Sequence, residues 1–216
     1  MPDPEPAVTA RGIRMRGPWG PVYGPIDLDV EAGGVSALIY PAGTGRTALL
    51  MTLAGRMRPV QGSLTVFGRS DARKIFAASA LANIDALDKI AESVTVRDLI
   101  TEQMRWDAPW YRFIGRAGQA DLEKICATTF GEVARPELTA YFDEIGELAQ
   151  VLLRISLANT GTPPLLVVGD LDRITDDGNR AIVLDRLTAL GEYQTVITAS
   201  ANPVPGARAE IKVESE

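Results

Sequence analysis

The stretch LIYPAGTGRTALL, residues 38–50, has the outline of a phosphate-binding loop in which two parts are replaced. The expected pattern is G-x-x-x-x-G-K-[ST] between a strand and a helix. Residues 40–47 read Y-P-A-G-T-G-R-T, so the second glycine and the hydroxyl residue are present. Tyr40 stands in place of the first glycine, and Arg46 stands in place of the lysine. The stretch therefore predicts a strand–loop–helix unit, and it raises the question of whether the loop still binds phosphate.

The flanking residues supply the strand and the helix that such a loop needs. GGVSALIY, residues 33–40, is an apolar run of strand length that predicts a strand buried on both faces. RTALLMTLAGR, residues 46–56, has helical apolar spacing at Leu49, Leu50 and Leu53. Backbone N–H groups at the start of that helix would form an anion site. The residues predicted to hold phosphate are Gly43, Thr44, Gly45, Arg46, Thr47 and Ala48.

The two replacements have different expected effects. We expect Tyr40 to crowd the turn or to reshape it. Arg46 keeps the positive charge of lysine, but its planar guanidinium has a different geometry. Because transition-state stabilisation depends on close placement, we expect binding to survive better than hydrolysis. Thr47 would offer its hydroxyl to Mg²⁺, and the alternative interpretation is a glycine-rich turn that binds nothing.

Composition limits the remaining possibilities. The chain has 216 residues, 46% of them hydrophobic, which predicts a globular protein with a substantial core. Its net charge of -6 argues against general nucleic-acid binding, and its lack of histidine excludes imidazole catalysis and histidine metal sites. Cys126 is the only cysteine, which fits a reducing compartment. No signal peptide or apolar run of about 20 residues is visible, so we expect a cytoplasmic protein that reaches a membrane only through a partner.

Strand and helix patterns alternate at both ends of the chain around a helical middle. Residues 1–6 are rich in proline and acid and are predicted to be disordered. Residues 7–31 read as two strands joined by a Gly/Pro turn, and about 95–160 as a helical insertion. Alternation resumes over 164–213. Residues 7–216 are therefore predicted to form a single α/β domain with a mainly parallel sheet and a small N-terminal antiparallel β subdomain.

The order of these segments resembles the nucleotide-binding domain of ATP-binding cassette (ABC) transporters. Residues 24–68 carry most of the resemblance, with LAG at 53–55 and a P-x-x-G-x-h-x-h-x-G pattern that begins at Pro59. SVTVRDLI, residues 93–100, is similar to the start of a helix in that family. The resemblance implies a P-loop NTPase (RecA-like) core that binds ATP and Mg²⁺. It also implies a membrane-embedded permease subunit as partner, and a homodimer or a heterodimer with another cassette.

The other motifs of the family are altered in this chain. The Q-loop glutamine should lie near Asp85 or Ala86, where no glutamine occurs. The signature motif maps onto residues 143–147, and Glu144 replaces its phosphate-binding serine. Ser200 and the residue after it occupy the place of the switch histidine. The resemblance therefore implies a degenerate site.

The acidic residues that follow the strand LLVV allow two alignments with the family's Asp-Glu pair. Asp170 is either the Mg²⁺-organising acid one position late, with Leu171 in place of the glutamate, or it replaces the glutamate, with Gly169 in place of the aspartate. Neither alignment supplies both carboxylates, and Asp172 would point the same way as Asp170 if the strand continued. Asp170 and Asp172 are the predicted catalytic acids, and Thr47 and Asp170 the predicted metal ligands. The alternative is a strand-end turn with solvated acids.

Two groups of aromatic residues suggest contacts. Trp19 or Tyr23 is predicted to stack on adenine, and the alternative is a turn aromatic that covers the edge of the core. MRWDAPWYRF, residues 104–113, is interpreted first as the core of the helical insertion. The alternative is a partner surface, since Trp, Tyr and Arg dominate interface hot spots. In the family this neighbourhood receives the coupling helix of the membrane subunit.

Three functions remain open from the sequence. The first is an ATP-binding subunit of a membrane transport or export complex, with weak or absent hydrolysis. The second is an active, divergent ATPase in which Arg46, Thr47, Asp170 and Asp172 rebuild the site. The third is an adaptor that keeps the fold but has lost the nucleotide. The loss of several motif residues together favours the first.

Overall fold

The structure is a computed structural model that describes residues 6–84 and 93–214. Within these ranges strands and helices alternate at both ends of the chain, and three helices lie between them. A short 3-10 turn, Leu171–Arg173, follows the sixth strand. In chain order the elements are β1 Val8–Gly17, β2 Gly20–Val30, β3 Gly34–Ile39, α1 Thr44–Leu53, β4 Gln61–Val66, α2 Ala72–Ala77, β5 Ser79–Ala82, α3 Val96–Asp107, α4 Gln119–Phe130, α5 Glu147–Ala158, β6 Leu165–Val168, α6 Asp177–Gly191, β7 Thr195–Ser200 and β8 Ala209–Lys212.

Two sheets organise these elements. The larger sheet is parallel and has the strand order β5-β6-β7-β3-β8. The smaller sheet is antiparallel and has the order β2-β1-β4. Helices α3, α4 and α5 are inserted between β5 and β6. The predicted fold class is confirmed: a mainly parallel α/β core with a small N-terminal antiparallel β subdomain and a helical insertion.

The parallel sheet separates two hydrophobic cores. Successive side chains of a strand point to opposite faces, and β6 follows this rule. Leu166 and Val168 pack with the helical insertion and α6. Leu165 and Val167 pack with the antiparallel sheet and α1. Because both faces of the sheet are covered, β6 and β7 are buried along their whole length and β3 is buried except at its two ends, as predicted for the strand within residues 33–40.

The carboxyl ends of three neighbouring strands meet at one edge of the parallel sheet. Ile39 of β3 lies beside Ser200 of β7, and Val167 of β6 lies beside Ile197 of β7. Ligands of parallel α/β sheets bind outside this carboxyl edge. The predicted loop, the acids after β6 and the residues after β7 are therefore brought together there.

The helical insertion begins where the sequence predicts a helix start. Thr95 caps α3, and its hydroxyl and the Asp98 carboxylate form a reciprocal capping box. Helices α4 and α5 then pack on each other and on α6, with Phe130 and Leu152 fully buried. Within residues 6–84 and 93–214 no helix is long and apolar enough to cross a bilayer.

The interpretation of residues 104–113 as core is wrong. Helix α3 buries Val96, Ile100 and Thr101, all in its first half. The helix ends at Asp107, so its last turn and the residues that follow extend beyond the core. The aromatic side chains of this stretch are largely exposed, at 78% for Trp106, 96% for Trp110, 75% for Tyr111 and 93% for Phe113.

Candidate functional site

The loop between β3 and α1 presents the start of a helix to an open cleft. Gly43 is the N-cap of α1, with a φ of +143° that favours glycine, and it has no side chain to cap the helix. The first backbone hydrogen bond of the helix runs from the Thr47 N–H to the Gly43 carbonyl at 3.3 Å. Helix geometry leaves the N–H groups of residues 44–46 without an intrahelical acceptor. Such a helix start can bind an anion.

Tyr40 and Gly45 fix the loop against the antiparallel sheet. Tyr40 is only 7% exposed and packs in the core shared by that sheet and α1. A Cβ at Gly45 would lie 2.5 Å from the Val22 carbonyl oxygen and 3.5 Å from the Tyr40 hydroxyl oxygen. The second glycine is thus needed for close packing with β2. The Tyr40 side chain lies in the core and is not among the side chains that line the cleft.

The cleft outside this edge of the sheet has a volume of about 490 Å³, a size that suits a small-molecule ligand. Five of the six predicted phosphate-binding residues line it, Gly45 being the exception. Asn83, Ile84 and Arg173 also line it. The sequence analysis did not name them, although Asn83 and Ile84 directly precede the expected Q-loop position and Arg173 directly follows Asp172. The full lining is Ala42, Gly43, Thr44, Arg46, Thr47, Ala48, Leu50, Met51, Asn83, Ile84, Asp170 and Arg173.

Arg46 joins the loop to both predicted acids. Its side chain is only 2% exposed. Nη1 donates to Asp172 Oδ2 at 2.9 Å and to the Tyr40 carbonyl at 3.0 Å. Nη2 donates to Asp170 Oδ2. A buried guanidinium needs such partners, because an unpaired buried charge is strongly destabilising. We call these three side chains the Arg46–Asp170–Asp172 triad.

Asp172 connects the triad to the end of β7. Its Oδ1 accepts a hydrogen bond from Ser200 Oγ at 2.6 Å, and its Oδ2 accepts one from the Ala201 N–H at 2.6 Å. The Ser200 carbonyl in turn accepts from the Tyr40 N–H at 3.0 Å. Burial acts to raise the pKa of Asp172, but the hydrogen bonds it accepts outweigh burial and leave that pKa below its ordinary value. The position expected for a switch histidine thus holds a serine that supports a carboxylate.

Asp170 caps the turn that follows β6. Its Oδ1 accepts from the Asp172 N–H at 2.9 Å, while its Oδ2 accepts from Arg46. Burial is the main cause of its raised pKa, which the nearby charge of Asp172 also raises. Gly169 precedes it in a tight position, because a Cβ there would lie 1.9 Å from the Asn83 carbonyl oxygen. Close packing with the end of β5 therefore explains why no aspartate stands at 169.

Mg²⁺ was predicted to bind Thr47 and Asp170, and the arrangement around Asp170 does not fit it. Both carboxylate oxygens of Asp170 accept protein hydrogen bonds, one of them from a guanidinium. Both oxygens of Asp172 are likewise used. Over the residues that the structure describes, no cluster of three or more acids or cysteines is arranged to hold a metal. Mg²⁺ prefers free carboxylate and water oxygens in near-octahedral geometry, and Arg46 takes those positions here.

The two predicted adenine-stacking residues have different environments. Trp19 lies in the turn between β1 and β2 and is 100% exposed. Tyr23 is 3% exposed, and its hydroxyl donates to Thr52 Oγ1 at 2.8 Å. Burial raises the pKa of Tyr23. Neither side chain is among those that line the cleft, and only Trp19 has a ring free to stack. Stacking by either residue stays a prediction.

The region that maps onto the signature motif leads into α5. Glu144, which takes the place of the phosphate-binding serine, is exposed. Glu147 accepts hydrogen bonds from the Thr175 Oγ1 at 2.6 Å and N–H at 2.9 Å, and from Asn179 Nδ2 at 3.2 Å. The Thr175 hydroxyl is the largest cause of a Glu147 pKa lowered to about 2. The Q-loop positions Asp85 and Ala86 lie outside the described residues.

Comparison with known proteins decides the family. The chain is 30% identical over 165 residues to the cytochrome c biogenesis ATP-binding export protein CcmA of Pseudomonas putida (strain GB-1). That match covers 74% of this chain and 72% of CcmA. The chain belongs to the ABC transporter ATP-binding proteins. The P-loop, the acids after β6 and the residues after β7 can therefore be compared with the parts of an ABC ATP-binding site.

Other similarities support the ABC assignment over shorter stretches or at the level of fold. The probable multidrug ABC transporter ATP-binding protein YbhF of Escherichia coli (strain K12) is 40% identical over 63 residues, which are 28% of this chain and only 11% of YbhF. A solved structure of a putative ABC transporter ATP-binding protein from Pyrococcus furiosus superposes with a TM-score of 0.72 at 17% identity. It covers 95% of this chain and 96% of its own. No protein-family model matches the chain.

Proposed function

We propose that this ABC protein is the nucleotide-binding subunit of a membrane transport or export complex, and that it binds ATP with weak or absent hydrolysis. The observation that carries the proposal is the Arg46–Asp170–Asp172 triad beside an uncapped helix start. The helix start can bind a phosphate group through backbone N–H groups. The cleft of about 490 Å³ has room for a ligand of this class.

The same triad argues against efficient hydrolysis. Hydrolysis needs a base within hydrogen-bond reach of the attacking water. Leu171, the residue after Asp170, is buried and has no acid–base group, and the oxygens of Asp170 and Asp172 already accept hydrogen bonds. The loss of one stabilising donor lowers kcat by about 10²–10³ in other enzymes. We therefore expect turnover far below that of an active cassette.

ATP would then act as a conformational ligand. A ligand shifts a conformational equilibrium by as much as its affinities for the two states differ. In the proposed homodimer, or in a heterodimer with another cassette, the exposed Glu144 would face the γ-phosphate of the opposite subunit. Like charges repel there, so the proposed role is a regulatory site rather than a site of hydrolysis.

The proposed partner is a membrane-embedded permease subunit, with the cassette at the cytoplasmic face of the membrane. The exposed aromatics of residues 104–113 support this proposal. They are flanked by Arg105 and Arg112, and Trp, Tyr and Arg are the residues that dominate interface hot spots. We expect Trp110→Ala to abolish copurification with a polytopic membrane protein. Tyr193→Ala, which alters an exposed aromatic on another surface, serves as the matched control.

ATP binding and phosphate release test the proposal directly. We expect saturable binding of labelled ATP that Thr47→Ala weakens and that Thr188→Ala, at an exposed threonine of α6, leaves unchanged. Phosphate release should stay near background. Steady release that Arg46→Ala abolishes would show an active ATPase instead. No saturable binding at millimolar ATP would mean that the chain acts through protein contacts alone.

A further inference from the structure

We propose that the guanidinium of Arg46 takes the place of the divalent cation at this site, so that the site binds nucleotide without a metal ion. The proposal rests on the ATP-binding function proposed above. It departs from the expectation that Thr47 and Asp170 hold Mg²⁺, and it rests on the contacts of the triad.

The first step concerns charge. Asp170 and Asp172 bring two negative charges to the carboxyl edge of the sheet, and Arg46 brings one positive charge between them. The guanidinium is 2% exposed, while the two carboxylates are each 20% exposed. Arginine stays protonated throughout the pH range in which proteins fold, so this positive charge is permanent. A permanent cation is therefore already paired with the acids that a metal would need.

The second step concerns the oxygen atoms. Asp170 Oδ2 accepts from Arg46, and its Oδ1 accepts from a backbone N–H. Asp172 Oδ2 accepts from Arg46 and from the Ala201 N–H, and its Oδ1 accepts from Ser200. A divalent ion would have to displace the guanidinium and would then lie beside its charge. Such a displacement leaves a buried arginine without partners, which is strongly unfavourable.

The groups of the cleft outside the triad could bind phosphate directly. The Thr47 side chain lines the cleft together with the helix start, and Arg173 lines it from the turn after β6. With no metal to coordinate, the Thr47 hydroxyl is available to donate a hydrogen bond to a phosphate oxygen. The backbone N–H groups of residues 44–46 complete the anion site. The nucleotide would thus be held by amides, a hydroxyl and arginine charge.

The test begins with Mn²⁺ alone, measured by electron paramagnetic resonance in the absence of nucleotide. We expect the wild-type chain to show no stoichiometric Mn²⁺ binding at submillimolar concentration. Arg46→Gln removes the charge and should create one Mn²⁺ site, which the second change Asp172→Asn should remove again. Arg69→Gln, at an exposed arginine, is the matched control and should behave as wild type. Tight Mn²⁺ binding by the wild-type chain would overturn the proposal, whether or not the variants fold.

The second measurement is the affinity for labelled ATP in EDTA and in excess Mg²⁺. We expect the two dissociation constants to agree within about twofold. An affinity at least tenfold higher in Mg²⁺ would overturn the proposal. Absence of binding in both buffers would defeat the proposed ATP-binding function, while the Mn²⁺ result would still decide whether Arg46 fills the cation position.

Discussion

The carboxylate of Asp172 accepts a hydrogen bond from the hydroxyl of Ser200 at 2.6 Å. This contact joins the turn after β6 to the last residue of β7, and Arg46 extends it to the loop after β3. Three strand ends are thereby held together by one carboxylate. The contact also supplies the first prediction, because the Ser200 side chain can be shortened without a change in the sheet.

Ser200→Ala should lower the free energy of unfolding by about 1.5–3 kcal/mol, the usual contribution of a hydrogen bond to a charged group. The effect should depend on pH. The folded-state pKa of Asp172 lies below its ordinary value, so its stabilising contribution is present above that ordinary value and is lost as pH falls through the lowered one. Removing the Ser200 hydroxyl should reduce this acid-dependent part. Urea unfolding at neutral pH and at pH values below 4 measures both effects.

The exposed Ser63 of β4 offers the control for that experiment. Ser63→Ala should change the free energy of unfolding by no more than about 0.5 kcal/mol at either pH. Equal effects of the two substitutions at neutral pH would mean that the Ser200 contact adds nothing specific to the site.

Glu147→Gln should reduce the amount of stability that the protein loses as the pH falls below about 4.5. The pKa of Glu147 is lowered from its ordinary value of 4.5 to about 2, mainly by the Thr175 hydroxyl. A depressed carboxylate pKa stabilises the fold above the unfolded value, and the contribution is lost between about pH 4.5 and 2. Thermal unfolding from pH 6 to 2.5 measures this. Glu144→Gln, at an exposed glutamate of the same segment, is the control and should lose stability at acidic pH as the wild type does. The same loss in Glu147→Gln would contradict the stabilising role of the Glu147 carboxylate.

Gly169→Ala should destabilise the protein by about 1–3 kcal/mol, the usual range for overpacking. An added Cβ would lie 1.9 Å from the Asn83 carbonyl oxygen, which is backbone and can move only with β5. Gly161→Ala is the matched control, since a Cβ there meets nothing within 4 Å. Chemical denaturation compares the two. Equal stabilities would show that the end of β6 tolerates a side chain and that packing does not exclude an aspartate from 169.

Local sequence patterns were sufficient to predict helix α1 and strand β3. Leu49, Leu50 and Leu53 give the apolar face that buries α1, and the structure buries all three. The apolar run before Tyr40 is a central strand of the parallel sheet. These features depend on residues that are close in sequence, so periodicity reveals them.

The chemistry of the site depends on contacts that are distant in sequence. Arg46 pairs with Asp170 across 124 residues and with Asp172 across 126. A motif comparison treats an arginine at 46 and displaced acids at 170 and 172 as separate losses, whereas the structure joins them in one ion-paired cluster. Their pairing depends on the strand order, which brings β3, β7 and β6 side by side.

The direction of the side chains explains why the aromatic residues were harder to predict from the sequence. Tyr23 lies on the buried face of β2, and its hydroxyl donates a hydrogen bond to Thr52. Because Thr52 is 29 residues away in the sequence, no local pattern predicts this contact. The cluster at 104–113 has a composition typical of a core, yet α3 ends before most of it. Aromatic composition alone therefore does not distinguish a buried core from an exposed surface, and the end of α3 is what leaves these side chains exposed.

Trp19 and Tyr23 differ in whether their rings are free to stack on a base. If a base stacks on this side of the cassette, the fully exposed Trp19 is the residue with a free ring face, whereas the Tyr23 ring is buried against Thr52. Trp19→Ala should weaken ATP binding by about 1–3 kcal/mol, the usual range for loss of a base–aromatic stack, with unfolding unchanged. Tyr23→Phe should lower stability by about 1 kcal/mol through loss of the hydrogen bond, with ATP affinity unchanged. Isothermal titration and thermal unfolding of both variants separate the two roles, and a loss of affinity in Tyr23→Phe alone would reverse the assignment.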